Sequence, residues 1–167
     1  MAPDCSAIAA VNDISYTCVR KSAEGINREM MYQTQSAPET FEAGKTLAKT
    51  LRSGDIVALH GGLGAGKTVF AKGIAAGLGI EDDVVSPTFT LLKTYDGDMR
   101  MRHFDLYRIE DEEELLHIGF YEALEDAGIS VIEWPDHAAH LPVCINVRLT
   151  GSGSDERIIE MKRPEET

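Results

Sequence analysis

Cationic side chains are in short supply: 16 Lys and Arg stand against 28 Asp and Glu, giving a formal net charge of −12 and a sequence pI near 4.8. A chain of this charge repels a phosphate backbone unless its few cations cluster, which argues against direct, broad binding to RNA or DNA. Cysteine is also scarce. Cys5, Cys18 and Cys144 are odd in number and show no C-x-x-C spacing, which excludes a disulfide framework or a zinc ribbon and fits a reducing cytoplasm. Long apolar runs are missing. The stretch Ala7 to Val11 is too short for a signal-peptide core and follows Asp4 rather than a cation, and nothing approaches a membrane span. No internal repeat and no low-complexity tract occurs.

What is present fits one domain, because 167 residues suffice for a core but not for two ordinary units. Residues 1–29 show no sustained period and read as an extension outside the core, residues 30–163 as the domain, and 164–167 as a tail. Ser36, Ala37, Pro38 and Glu39 spell a capping box that starts a helix whose apolar stripe, Phe41, Gly44, Leu47, Ala48 and Leu51, runs to a stop at Gly54. The unbroken run Ile56 to Leu59 predicts a strand buried on both faces of a parallel sheet. A second helix is expected from Lys67, with Phe70, Ile74 and Leu78 inward and Gly79 closing it. Thr88 to Phe104 predicts a hairpin turning at Asp96 and Gly97. Asp111 to Glu114 opens a short helix with carboxylates at its positive end. Ile129 to Ile132 is another buried strand, stopped by Pro135, and Val143 to Leu149 pairs with Arg157 to Met161. The expected class is α/β: a three-layer, P-loop NTPase-like fold with a mixed parallel and antiparallel sheet.

Gly61 to Thr68 fits G-x-x-x-x-G-K-[ST] at every fixed position, between a buried strand and a helix. Glycines let backbone amides wrap a phosphate, and the following helix adds its positive end. Leu63, Gly64, Ala65, Gly66, Lys67, Thr68 and Val69 are therefore the candidate nucleotide contacts. Lys67 would reach the β- and γ-phosphates, and Thr68 would offer its hydroxyl to Mg²⁺, a hard cation that keeps several waters. Two carboxylates are candidates for the metal and the attacking water. Glu133 ends a predicted strand, where open parallel sheets place their ligand crevice, and Asp105 follows the hairpin; a surface carboxylate and a loop cap are the bland readings of each. Trp134 reads as packing. Asn-Lys-x-Asp is absent, which argues against a GTPase, as is Leu-Ser-Gly-Gly-Gln of transporter ATPases. His137, His140 and Cys144 lack a fourth zinc ligand.

Four segments together resemble one family. Leu63-Gly64-Ala65-Gly66-Lys67-Thr68, Ser86-Pro87-Thr88-Phe89-Thr90, His103-Phe104-Asp105-Leu106-Tyr107-Arg108 and Ile132-Glu133-Trp134-Pro135 are similar, in order and spacing, to TsaE (YjeE), the small P-loop ATPase of bacterial tRNA threonylcarbamoyladenosine (t6A) formation. The resemblance spans most of Ser36 to Met161. It implies a protein that binds ATP and Mg²⁺ and acts on the two-subunit threonylcarbamoyl transferase, with TsaD-like and TsaB-like subunits, while tRNA is reached only through that complex. It also implies that Lys67 and Thr68 serve phosphate and metal, that Glu133 is a metal-side carboxylate and that Asp105 is needed for activity. Thr88 would lie in a switch-like loop, and Ser36 to Thr40 and Arg157 would approach the nucleotide. Gly62 departs from the family, which usually carries an acidic residue there, and the first thirty or so residues have no family counterpart. Two other readings share the loop: a small-molecule kinase, for which an arginine-bearing lid is not evident, and an ATP-dependent regulatory switch without useful turnover.

Overall fold

The computed structural model describes residues 8–11, 14–21, 27–151 and 154–164, with side chains from residue 29 onward. In chain order the elements are β1 (Ile8–Val11), β2 (Ile14–Lys21), β3 (Asn27–Thr34), α1 (Ala37–Ala48), β4 (Ile56–His60), α2 (Lys67–Gly77), β5 (Leu92–Tyr95), β6 (Met101–Asp105), α3 (Glu112–His117), α4 (Phe120–Glu125), β7 (Ile129–Glu133), β8 (Ile145–Gly151) and β9 (Arg157–Lys162), with a 3-10 turn at Pro135–His137. One mixed sheet runs β1-β2-β3-β9-β8-β4-β7-β6-β5. Its centre is parallel, with β4 between β7 and β8 and β6 beside β7, and both flanks are antiparallel.

Alternation along the central strands builds the layers. Val57, Leu59, Val131 and Val147 face a cluster with Phe70 and Ile74 of α2 and Leu47 of α1. Ile56, Ile132 and Phe104 face the other way, onto Leu115 and Phe120 of α3 and α4. That two-sided burial is why β4 lacks a polar face, whereas β8 keeps one, with Asn146, Arg148 and Thr150 exposed. A fully buried side chain such as Phe70 contributes roughly 1.5–3 kcal/mol. Helices α1 and α2 approach closely through glycine: a Cβ on Gly44 would stand 2.2 Å from the Phe70 carbonyl oxygen, and one on Gly73 2.0 Å from that of Phe41. No helix among the described residues is long and apolar enough to cross a membrane.

Three details differ from the sequence expectations. Helix α1 stops at Ala48 rather than near Gly54, because the Thr50 amide and hydroxyl both donate to the Leu47 carbonyl. Gly54, with φ +96°, instead turns the chain into β4. In the β5–β6 hairpin, Tyr95 pairs with Met101, so residues 96–100 form a wider turn than a two-residue one. Gly97 is there for space: a Cβ would meet the Leu78 carbonyl oxygen at 2.7 Å. The described backbone of the supposed extension is β-sheet, since β1 and β2 pair outside β3, and β3 runs through the boundary placed at residues 29 and 30. Residues 1–7, 12–13, 22–26 and 165–167 of the extension and tail lie outside the described residues.

Candidate functional site

The loop between β4 and α2 owes its path to glycine. Gly64 (φ +73°) and Gly66 (φ +98°) take left-handed conformations that strain other residues. Gly61 (φ +150°) passes so close to β8 that a Cβ would stand 2.6 Å from the Leu149 carbonyl oxygen. Gly66 caps α2 without a side-chain bond, so the first amides of that helix stay available to an anion. Arg157 of β9 braces the loop. Its Nε donates to the Ala65 carbonyl at 2.9 Å and an Nη to that of Gly64 at 3.1 Å. Holding those carbonyls fixes the planes of the peptides that carry the neighbouring amides.

Lys67 is not the exposed group that a loop-mouth lysine suggests. It is only 5% exposed, its Nζ donates to the carbonyls of Gly61 (2.7 Å) and Gly62 (2.8 Å), and the ammonium sits 4.2 Å from the centre of a Trp134 ring. Burial holds its pKa below the ordinary lysine value, while Glu133 and Asp105 oppose that shift. Trp134 adopts φ +57°, turning the chain directly after Glu133.

The two carboxylates end neighbouring parallel strands. Asp105 and Glu133 are register partners, and Leu59, just before the loop, is also paired with Glu133. Glu133 Oε1 accepts from the Thr68 hydroxyl at 3.3 Å and lies 2.9 Å from His103 Nε2. Asp105 Oδ2 accepts from the Ser86 and Thr88 hydroxyls, both at 2.8 Å, while Oδ1 accepts the Tyr107 amide. Both carboxylates are 3% exposed. Together with Lys67, Thr68, Val69, Ser86 and Thr88 they line an open cavity of about 430 Å³, which also has Leu63 to Gly66, Tyr107, Trp134 and Arg157 on its walls.

Thus Lys67, Thr68, Thr88, Asp105, Glu133, Arg157 and the loop from Leu63 to Val69 meet at one cavity. Ser36 is placed differently. It caps α1, accepting the Glu39 amide at 3.4 Å, and Ala37 and Thr40 of that first turn line a small adjoining cavity with Gly66, Val69 and Arg157. His103 and Tyr107 also stand at the site, though no motif position assigns them a role. A period of two along β6 puts His103 on the face of Asp105, which was the available signal.

The family model described as threonylcarbamoyl adenosine biosynthesis protein TsaE matches residues 34–159. This chain belongs to the TsaE family. The TsaE protein of Treponema pallidum is 41% identical over 127 residues, covering 74% of this chain and 94% of the relative. That of Bacillus subtilis is 39% identical over 139 residues, covering 79% and 84%. The crystal structure of Bacillus subtilis YdiB superposes with a TM-score of 0.70 at 33% identity, covering 81% of this chain and 85% of that one. The TsaE match contains the whole loop, both carboxylates and Arg157. At Gly62 an added Cβ would meet nothing within 4 Å, so a side chain there would not crowd the loop.

Proposed function

We propose that this chain binds ATP with Mg²⁺ on the loop from Gly61 to Thr68 and hydrolyses it as an accessory protein of tRNA t6A formation in the cytoplasm. It acts on the threonylcarbamoyl transferase, whose TsaD-like and TsaB-like subunits perform the group transfer. The observation that carries the reading is the meeting of Thr68 with Glu133 at 3.3 Å beside the left-handed glycines of the loop. A phosphate-binding backbone and a hard oxygen pair are thereby adjacent. Names of relatives as tRNA threonylcarbamoyladenosine biosynthesis proteins support the pathway.

The donor set suits magnesium. One hydroxyl and two carboxylates leave room for waters and phosphate oxygens, which is how Mg²⁺ is held in phosphoryl-transfer sites. Among the described residues no group of three or more His, Cys, Asp or Glu side chains is arranged as a metal cage. When bound, the ion would neutralise charge on the transferring phosphoryl group. The amides of Gly64 to Val69 would bind phosphate, Lys67 would leave its two carbonyls for phosphate oxygens, and Asp105 or Glu133 would orient the attacking water. Thr88, tied to Asp105, places the Ser86 to Thr90 segment where it responds to what that carboxylate binds.

ATP hydrolysis measured on the chain alone and then with both transferase subunits tests the reading. Turnover that rises with the subunits is expected. Absence of hydrolysis in both conditions, with nucleotide bound, would leave a switch without turnover; absence of nucleotide binding would remove the reading.

A further inference from the structure

His103 is fully buried on β6, sharing a face with Met101 and with Ile129 and Val131 of β7, the face that packs under α1 and α2. An apolar residue would satisfy that environment. The imidazole instead makes one hydrogen bond, at 2.9 Å to Glu133 Oε1, and leaves Nδ1 buried with no partner. A buried polar atom without a partner opposes folding, so the packing of β6 does not account for a histidine here. Its one contact does.

We propose that His103 is a positioning residue for Glu133, held in the tautomer that carries its proton on Nε2. The unpartnered nitrogen assigns the tautomer: a proton on Nδ1 would be a buried donor with no acceptor, whereas a proton on Nε2 points at a carboxylate oxygen. His103 and Thr68 then converge on Oε1 from two elements, β6 and α2, and fix the plane of the carboxylate. With Oε1 occupied, Oε2 is the oxygen left for the metal or its water. This rests on the hydrolysis proposed above, for which a rotating carboxylate would be a poor ligand or water-orienting group.

Glutamine and asparagine separate positioning from packing. A glutamine side chain extends an amide nitrogen to about the place of imidazole Nε2, while that of asparagine stops near Nδ1, where nothing is lost. With the transferase subunits present, His103→Asn is expected to lower kcat roughly 10–100-fold with little change in KM for ATP, and His103→Gln to recover most of that loss. Equal kcat for the two variants, or a loss confined to KM, would overturn the proposal. Imidazole nitrogen NMR on the nucleotide-free wild-type chain supplies a readout independent of turnover. It should report an Nε2-protonated, Nδ1-bare ring whose signals move in Glu133→Gln. A proton on Nδ1, or signals indifferent to Glu133, overturns the proposal even if a variant fails to fold. If the wild-type chain hydrolyses no ATP, the hydrolysis reading fails, and the NMR result still decides the link between His103 and Glu133.

Discussion

Thr68 and Glu133, sixty-five residues apart in sequence, meet at 3.3 Å because α2 starts where β4 ends and β4 runs parallel to β7. The hydroxyl already touches the carboxylate with which it would share a metal. Glu133→Gln keeps the shape and removes the charge. Its kcat should fall about 100-fold or more, while ATP affinity stays within about threefold, because the binding proposed above would rest on loop amides and Lys67. Single-turnover hydrolysis and equilibrium titration on the same preparation check both halves; wild-type hydrolysis would remove Glu133 from the mechanism.

Lys67→Met should abolish nucleotide binding, seen as loss of the Trp134 fluorescence response, since the wild-type ammonium lies against that ring. It also changes how stability varies with pH. Burial lowers the Lys67 pKa in the folded chain, so between the folded value and 10.5 the unfolded state binds more protons, and wild-type stability gains as pH rises through that window. Below it the full cost of burying the charged form is present. The stability of wild type relative to Lys67→Met should therefore improve toward alkaline pH, as measured by urea denaturation across the range.

Thr88 and Ser86 share one oxygen of Asp105 and lie 2.9 Å from each other. Asp105→Ala frees both, so amide exchange of Ser86 and of residues 88–90 should accelerate while the β6–β7 ladder keeps its protection. Thr88→Ala should lower subunit-stimulated hydrolysis. Unchanged exchange in the first variant, together with unchanged turnover and transferase binding in the second, would end the switch interpretation.

Gly73→Ala should destabilise the fold by about 1–3 kcal/mol or more, because its Cβ would meet the Phe41 carbonyl oxygen at 2.0 Å. The gain of up to about 1 kcal/mol that alanine brings to a helix interior offsets only part of the clash, which is with backbone that cannot swing away. Gly62→Ala, which meets nothing, should stay within about 0.5 kcal/mol of wild type. Denaturant midpoints for the pair give the comparison.

Strands β4 and β7 of the parallel centre were legible from their own residues. Ile56 to Leu59 is apolar on both faces and Ile129 to Ile132 is interrupted only by Ser130, and the loop motif dictates a glycine turn and a helix directly after β4. Helix α1 was legible from Ser36, which accepts the Glu39 amide as expected, although the Glu39 carboxylate accepts the amide of Gln35, one residue before the cap, rather than an amide of the helix. Helix α4 was not, since six residues with Phe120 and Leu124 buried present too little period to recognise. The strands before α1 were missed for a related reason: β2 and β3 mix charge with apolar residues. In the site, sequence named the ligand-type side chains but not their partners. The bonds of His103 to Glu133 and of Arg157 to Gly64 and Ala65 depend on which strands adjoin, and a single sequence does not state that order.

The two carbonyls that hold the Lys67 ammonium would make the anion entry proposed above an exchange rather than a capture. An incoming anion finds the lysine already desolvated and its rotamers restricted, so much of the entropy that a flexible cation loses on binding has been lost during folding. What changes hands is the acceptor: two neutral carbonyl oxygens are replaced by charged ones, and the backbone oxygens of Gly61 and Gly62 are released to water. The favourable enthalpy of a charged contact is offset by the contact given up. Measured by calorimetry, association at this loop should therefore show a smaller heat than a free lysine would give, and discrimination between ligands should follow how many negative charges reach the ammonium rather than how tightly the loop folds around them.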